Sequence, residues 1–184
     1  MSQLENQLTD EEIARLVQSG EIESFDILIE RYEAKMKRYA KRFLFDYEEA
    51  EDLAQEVFLK VYINIQSFKT SKKFSSWIYR IAHNEFINAI KKKGKEPISF
   101  FDSDVLFPHP VSKENTDKQI TESELRAMLD KCINKLKPKY REPIVLYYFE
   151  ELSYKEIADI LCIPISTVGI RLRRGKKIMQ SLLH

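Results

Sequence analysis

The chain has 184 residues, 43% of them hydrophobic and 32% charged, a soluble globular composition with length for one domain or two small ones. A formal net charge of only +1 excludes a protein that coats nucleic acid indiscriminately, and no apolar run approaches membrane-spanning length. No secretory leader opens the sequence, so a cytoplasmic location and no membrane insertion are expected.

Charge is nonetheless segregated along the chain. Asp10 to Glu33 is mostly acidic, and Lys35 to Arg42 carries five basic residues and no acid. Asp46 to Glu56 is acidic again, and Lys60 to Lys95 holds nine basic residues against Glu85 alone. Such alternation predicts one surface for nucleic acid and another for a protein partner.

Thr9 with Glu12 forms a capping box for a short helix carrying Ile13, Leu16 and Val17, which Gly20 stops. A longer helix starts near Ser24, with Phe25, Leu28, Ile29, Tyr32, Met36, Tyr39 and Phe43 at helical spacing. Both read as scaffold. From Glu48 to about Ile65 a third helix carries Ala50, Leu53, Ala54, Val57, Phe58, Val61, Tyr62 and Ile65 as its apolar stripe. Glu48, Glu49, Glu51, Asp52, Gln55 and Glu56 crowd the other side of its first turns. Acids there suit the helix dipole in any case, but their density also fits a docking face.

The loop NIQSFKTSKKF mixes basic, hydroxyl and aromatic residues, including Phe68, Lys72, Lys73 and Phe74. Ser75 can cap the next helix, which runs to Lys93 before Gly94. Ile78, Ile81, Ala82, Phe86 and Ala89 supply its burial. Trp77, Arg80, Asn84, Ile87 and Lys91 form a separate stripe that joins a stacking surface, an amide and cations, the parts needed to hold unpaired bases. Trp77 can equally be a core residue.

Periodicity lapses between Lys95 and Ile120, where Pro97, Pro108 and Pro110 mark a linker, although Phe100, Phe101 and Phe107 suit docking better than a free tether. Thr121 with Glu124 then caps a helix built on Leu125, Met128, Leu129, Cys132, Ile133 and Leu136, ended by Lys137-Pro138. Ile144 to Phe149 reads as a short buried helix. Ser153 with Glu156 caps a further helix with Ile157, Ile160 and Leu161 inward, and Pro164 opens the last one. In that last helix Val168, Leu172, Gly175 and Met179 share one face, while Ser166, Ile170, Arg173, Arg174 and Lys177 point outward. All five charges from Arg171 to Lys177 are positive. A helix-turn-helix so arranged suits the DNA major groove; the alternative is a solvated basic helix end.

Every strong period is helical, so the expected class is all-α: two small helical domains joined by an irregular linker, the second a helix-turn-helix domain. Cys132 and Cys162 are expected as core filling, without metal-ligand spacing. His83, His109 and His184 share no catalytic neighbours, so neither an enzyme nor a cofactor or metal site is expected.

Four segments together carry a family resemblance: FDILIERY, YEEAEDLAQEVFLKVYINIQSF, FSSWIYRIAHN and YREPIVLYYFEELSYKEIADILCIPISTVGIRLRRGKK. In that order, the chain resembles a bacterial RNA polymerase sigma factor of the sigma-70-like, extracytoplasmic-function type. The resemblance implies that residues 1–94 dock on the β′ coiled coil of core polymerase and melt the −10 promoter element. Residues 95–120 would be the linker, and residues 121–184 would read the −35 element as duplex. Asp52, Gln55 and Glu56 fall in the family's docking segment. Trp77, Tyr79, Arg80, His83 and Asn84 fall in its −10 segment, with Ser67 to Phe74 as the loop that receives a flipped base and Lys91 among its lysine-based phosphate contacts. Ile170, Arg173 and Arg174 would face −35 bases, Ser166 opens the same face, and Thr167, Arg171 and Lys177 are better placed for phosphate. Many relatives have Lys or Arg where Gly169 stands and a small polar residue where Ile170 stands. A sequestering anti-sigma factor is also implied. Against these stand a free-standing helix-turn-helix regulator, which leaves the acidic face unexplained, and a protein-interaction module, which would not bind DNA.

Overall fold

The computed structural model describes residues 8–44, 50–92 and 122–183. Glu48, Glu49, Gly94, the linker 95–120, His109, Thr121 and His184 lie outside the described residues. Among those described there are eight α-helices and no strand. α1 (Asp10–Ser19), α2 (Phe25–Leu44), α3 (Ala50–Asn64) and α4 (Phe74–Lys92) build the first unit. α5 (Glu122–Lys135), α6 (Pro138–Tyr148), α7 (Tyr154–Leu161) and α8 (Ile165–Leu182) build the second. The all-α class expected from the periodicity is the observed one.

α1 begins and ends as its sequence dictates. The Glu12 amide donates to Thr9 Oγ1 at 3.2 Å and the Thr9 amide to Glu12 Oε2 at 2.7 Å, so two orphan donors are satisfied reciprocally. Gly20 closes the helix at φ 108°, a left-handed value that side chains rarely adopt. Asp10, at the N-terminus of α1, accepts from Tyr32 Oη at 2.6 Å and from Arg31 Nη1 at 2.7 Å, which pins α1 to α2. Gln18 Nε2 donates to the carbonyls of Ile65 and Phe68 at 2.7 and 2.8 Å and so closes the turn between α3 and α4. The acids of α1 therefore serve its own scaffold.

α4 starts one residue before Ser75, the cap expected from the local sequence. The Phe74 amide donates instead to Glu11 Oε1 at 2.8 Å, a carboxylate supplied by α1. That partner satisfies an orphan donor and places negative charge at the positive end of the helix. Leu28, Met36, Phe43, Val57, Val61, Phe74, Ile78 and Phe86 fill the core between these helices.

In the second unit Pro138 occupies the first turn of α6, where its missing N–H costs nothing. Arg141 donates to the carbonyls of Asn134 and Leu136 at the end of α5, at 2.6 and 3.0 Å, and to Phe43 O at the end of α2, at 3.0 Å. One guanidinium thus closes two helix C-termini, where positive charge is favourable. α8 crosses α6 so closely at Gly175 that a Cβ there would stand 3.1 Å from Ile144 Cγ1. Cys132 is buried as expected, but Cys162 is exposed. It ends α7 in the left-handed conformation at φ 54°, a position glycine usually takes.

The two units share one continuous apolar cluster, with α6 against α2 and α7 against α4. Two carboxylates of the second unit reach into the first. Glu142 Oε1 accepts from Tyr39 Oη and lies 2.6 Å from His83 Nδ1. Glu150 accepts from Arg38 through two nitrogens at 2.9 Å and from Tyr79 Oη at 2.6 Å. Both Glu142 and Glu150 side chains are essentially without solvent contact, so these hydrogen bonds are what makes their burial tolerable.

Candidate nucleic-acid interface

The turn that sets α8 on α7 is built from local chemistry. Ser153 Oγ accepts from the Glu156 amide at 3.3 Å, and Glu156 Oε2 accepts from the Ser153 amide at 2.9 Å, so α7 starts at Tyr154. Burial pushes the Glu156 carboxyl up, but hydrogen bonds from Ser153 and from Lys73 outweigh it and hold the group below its usual range. Ile157, Ile160 and Leu161 of α7 pack inward with Val168 and Leu172 of α8. α8 is thereby left with one polar, cationic face.

On that face Ser166, Ile170, Arg173 and Lys177 are exposed, and Thr167 and Arg174 are half-buried. Arg171 corrects the expectation. It retains only 6% of its surface and lies at i+3 from Val168, on the inner side of the helix. Its burial keeps it off the exposed face of α8.

The loop before α4 and α4 itself divide differently from the sequence expectation. Ser67, Lys72, Lys73, Arg80, Asn84 and Lys91 are exposed. Phe68, Phe74, Tyr79 and His83 are buried. Trp77 is half-buried, its ring centroid 5.0 Å from that of Phe68 and 5.7 Å from that of Phe74. A stacking platform needs a free ring face; Phe68 and Phe74 spend theirs on each other and on Trp77, and so prop the loop rather than present it. Tyr79 and His83 point to Glu150 and Glu142 of the second unit. Burial, with the neighbouring Glu150 carboxylate, pushes the Tyr79 hydroxyl far up, so it stays a proton donor. Ile87 is also buried, and Asn88 takes its expected place: Arg80, Asn84, Asn88 and Lys91 form the solvent-facing row of α4. Asn88 stands four residues after Asn84, a spacing that marks it in the sequence once the face is known.

α3 presents a third surface. Asp52, Gln55 and Glu56 are exposed as expected. Leu59 and Ile63 continue the row Asp52–Glu56 at helical spacing and keep 64% and 72% of their surface. A periodicity reading that follows the buried stripe gives no signal for apolar residues on the opposite side of the helix. Acid at one end and large apolar side chains at the other suit a protein partner better than a nucleic acid. Lys41 neutralises Glu51, leaving Asp52 and Glu56 as the charges of this row.

Lys73, in the loop before α4, donates to Glu156 at 3.0 Å and so ties that loop to the cap of α7. Among the described residues no three His, Cys, Asp or Glu side chains converge as a metal site, and no helix is long and apolar enough to cross a membrane.

Comparison with known proteins places two family models on these surfaces. Sigma-70 region 2 matches residues 28–96, and Sigma-70, region 4 matches residues 126–179. The chain is 36% identical over 176 residues to the ECF RNA polymerase sigma factor SigW of Bacillus subtilis, covering 91% of this chain and 93% of that one. Among solved structures, the sigma factor RpoE of Bartonella quintana, in complex with the anti-sigma factor NepR, is 26% identical. It covers 86% of this chain and 96% of that one, with a TM-score of 0.67. CnrH, solved in complex with the cytosolic domain of CnrY, is 21% identical over 95% of this chain and 96% of that one, with a TM-score of 0.71, and so shares the fold.

Proposed function

Because the chain belongs to the extracytoplasmic-function sigma factors of RNA polymerase, we propose that it docks on core polymerase through α3 and reads promoters with α8 and α4. Asp52, Gln55, Glu56, Leu59 and Ile63 meet the polymerase, on the β′ coiled coil that the family uses. Ser166, Ile170, Arg173 and Arg174 face the −35 base pairs in the major groove, with Thr167 and Lys177 toward phosphate. The row Arg80, Asn84, Asn88 and Lys91, with Ser67, Lys72, Lys73 and the edge of Trp77, holds the unpaired −10 strand.

The observation that carries this reading is the separation of charge on one chain. The acidic-apolar row of α3 and the basic face of α8 are both exposed and lie on different units. A free-standing helix-turn-helix regulator leaves the first unexplained. No group capable of chemistry on DNA or nucleotide enters the account, so strand opening is driven by binding energy, roughly a few kcal/mol per unstacked step. The protein acts where polymerase is, in the cytoplasm. An anti-sigma factor is a further expected partner, supported by the complex of the Bartonella relative.

Run-off transcription from a library of random promoters, with core polymerase and the purified chain, tests this. Transcripts are expected only from templates that share one −35 and one −10 sequence. Transcription equal to that of core polymerase alone, with no enriched sequence, would overturn it.

A further inference from the structure

Ile170 is out of keeping with its surroundings. It sits in the second turn of α8, four residues after Ser166 and three and four before Arg173 and Arg174, on the face otherwise given to hydroxyls and cations. It keeps 45% of its surface, so it does not pack into the core that Val168 and Leu172 build. Its neighbour Gly169 has no side chain, and among the described residues outside its own stretch of helix the heavy atom within 4 Å of where a Cβ would stand is Tyr154 Cε2, at 3.5 Å. Position 169 thus adds no long side chain beside Ile170, and the exposed branched side chain is accessible to a base edge.

Major-groove edges offer donors and acceptors at every base pair but one apolar group, the C5-methyl of thymine. An isoleucine pressed against any other edge would strip water from an amino group or a carbonyl without replacing its hydrogen bond. Against thymine it buries methyl on methyl. We infer that Ile170 is a specificity-determining residue that reads the C5-methyl group of a thymine in the −35 duplex. Ser166 and Arg173/Arg174 supply the hydrogen bonds to the pairs on either side. This rests on the reading of α8 as the duplex reader and adds the base it selects. The bound feature is one methyl group, so it can be removed from the DNA without touching the protein fold.

The test begins with the −35 sequence enriched by the full-length chain together with core polymerase. Each thymine in it is replaced singly by deoxyuridine, which keeps every hydrogen-bonding group and deletes only the methyl. Affinity of the polymerase-bound chain is then measured by competition. One replacement is expected to weaken binding by about four-fold, the worth of burying one methyl group. With Ile170→Ala, whose side chain is exposed and whose loss leaves the core intact, that same replacement is expected to change affinity by less than about 1.5-fold, the site of methyl contact having gone. An equal loss in wild type and Ile170→Ala at every thymine of either strand overturns the inference, as does an enriched −35 duplex without an A·T pair. An Ile170→Ala protein with unaltered duplex selection but lost affinity for a protein partner would also overturn it and assign the side chain to a protein interface. Absence of any enriched duplex sequence is a different result. It removes the reading of α8 on which the inference stands.

Discussion

At the scale of single residues, the two glycines of α8 look alike in the sequence and differ in the structure. Each costs about 1 kcal/mol of helix stability relative to Ala. A Cβ at Gly169 would meet Tyr154 at 3.5 Å, an ordinary contact, whereas one at Gly175 would meet buried Ile144 at 3.1 and 3.3 Å. Gly169→Ala is therefore expected to raise stability by about 0.5–1 kcal/mol. Gly175→Ala is expected to lower it, because an overpacking penalty of about 1–3 kcal/mol exceeds the helix gain. Thermal or urea unfolding of both variants checks the order, and a Gly175→Ala protein as stable as Gly169→Ala would contradict the close crossing of α8 on α6. Periodicity alone places Gly175 on the inner face with Val168 and Leu172, but not the distance to Ile144. Cys162 shows the same limit. An apolar helical context makes it look buried, and only the left-handed end of α7 reveals that it lies outside.

Elements were readable from the sequence where their ends are set by neighbours in the chain. The boxes Thr9/Glu12 and Ser153/Glu156 and the stop at Gly20 are present as their spacing predicts. The start of α4 is not local in this sense: the carboxylate that accepts from its first amide, Glu11, is 63 residues away. Ser153→Ala is expected to cost about 1 kcal/mol, by orphaning the amide that its hydroxyl satisfies. Glu156 adds a pH dependence of definite sign. Its folded-state value lies below the ordinary 4.5, so its contribution is complete above that value and is lost as pH falls through the lower, folded one. The difference in unfolding temperature between wild type and Glu156→Gln should hence be constant near neutrality and shrink only below about pH 4.5. A difference that grows on acidification would show that Glu156 is not stabilised as a carboxylate.

For the molecule as a whole, the division into two helical units followed from the lapse of periodicity between them, but their mutual packing did not. Tyr79 and His83 are expected at the −10 strand from the family resemblance alone, whereas the structure buries both. Their partners, Glu150 and Glu142, are 71 and 59 residues further along, beyond the reach of any local pattern. The apolar half of the α3 row is likewise non-local: exposure of Leu59 and Ile63 is a property of the packed bundle. The exposed row of α3, the row of α4 and the face of α8 nevertheless support one account. The chain packs the row of α4 and the face of α8 on units locked together through Glu142 and Glu150. Two weak DNA sites gain from each other only when the geometry lets both engage at once; polymerase held on α3 is proposed to supply that geometry. The most direct measurement is promoter binding by the full-length chain with and without core polymerase, for wild type and for the double charge reversal Asp52→Lys/Glu56→Lys. The account predicts weak, salt-sensitive, poorly selective binding by either protein alone. It predicts tight, selective binding by wild type once polymerase is added, and none of that gain for the reversal. Tight, selective binding by the chain alone, unchanged by the reversal, would contradict it.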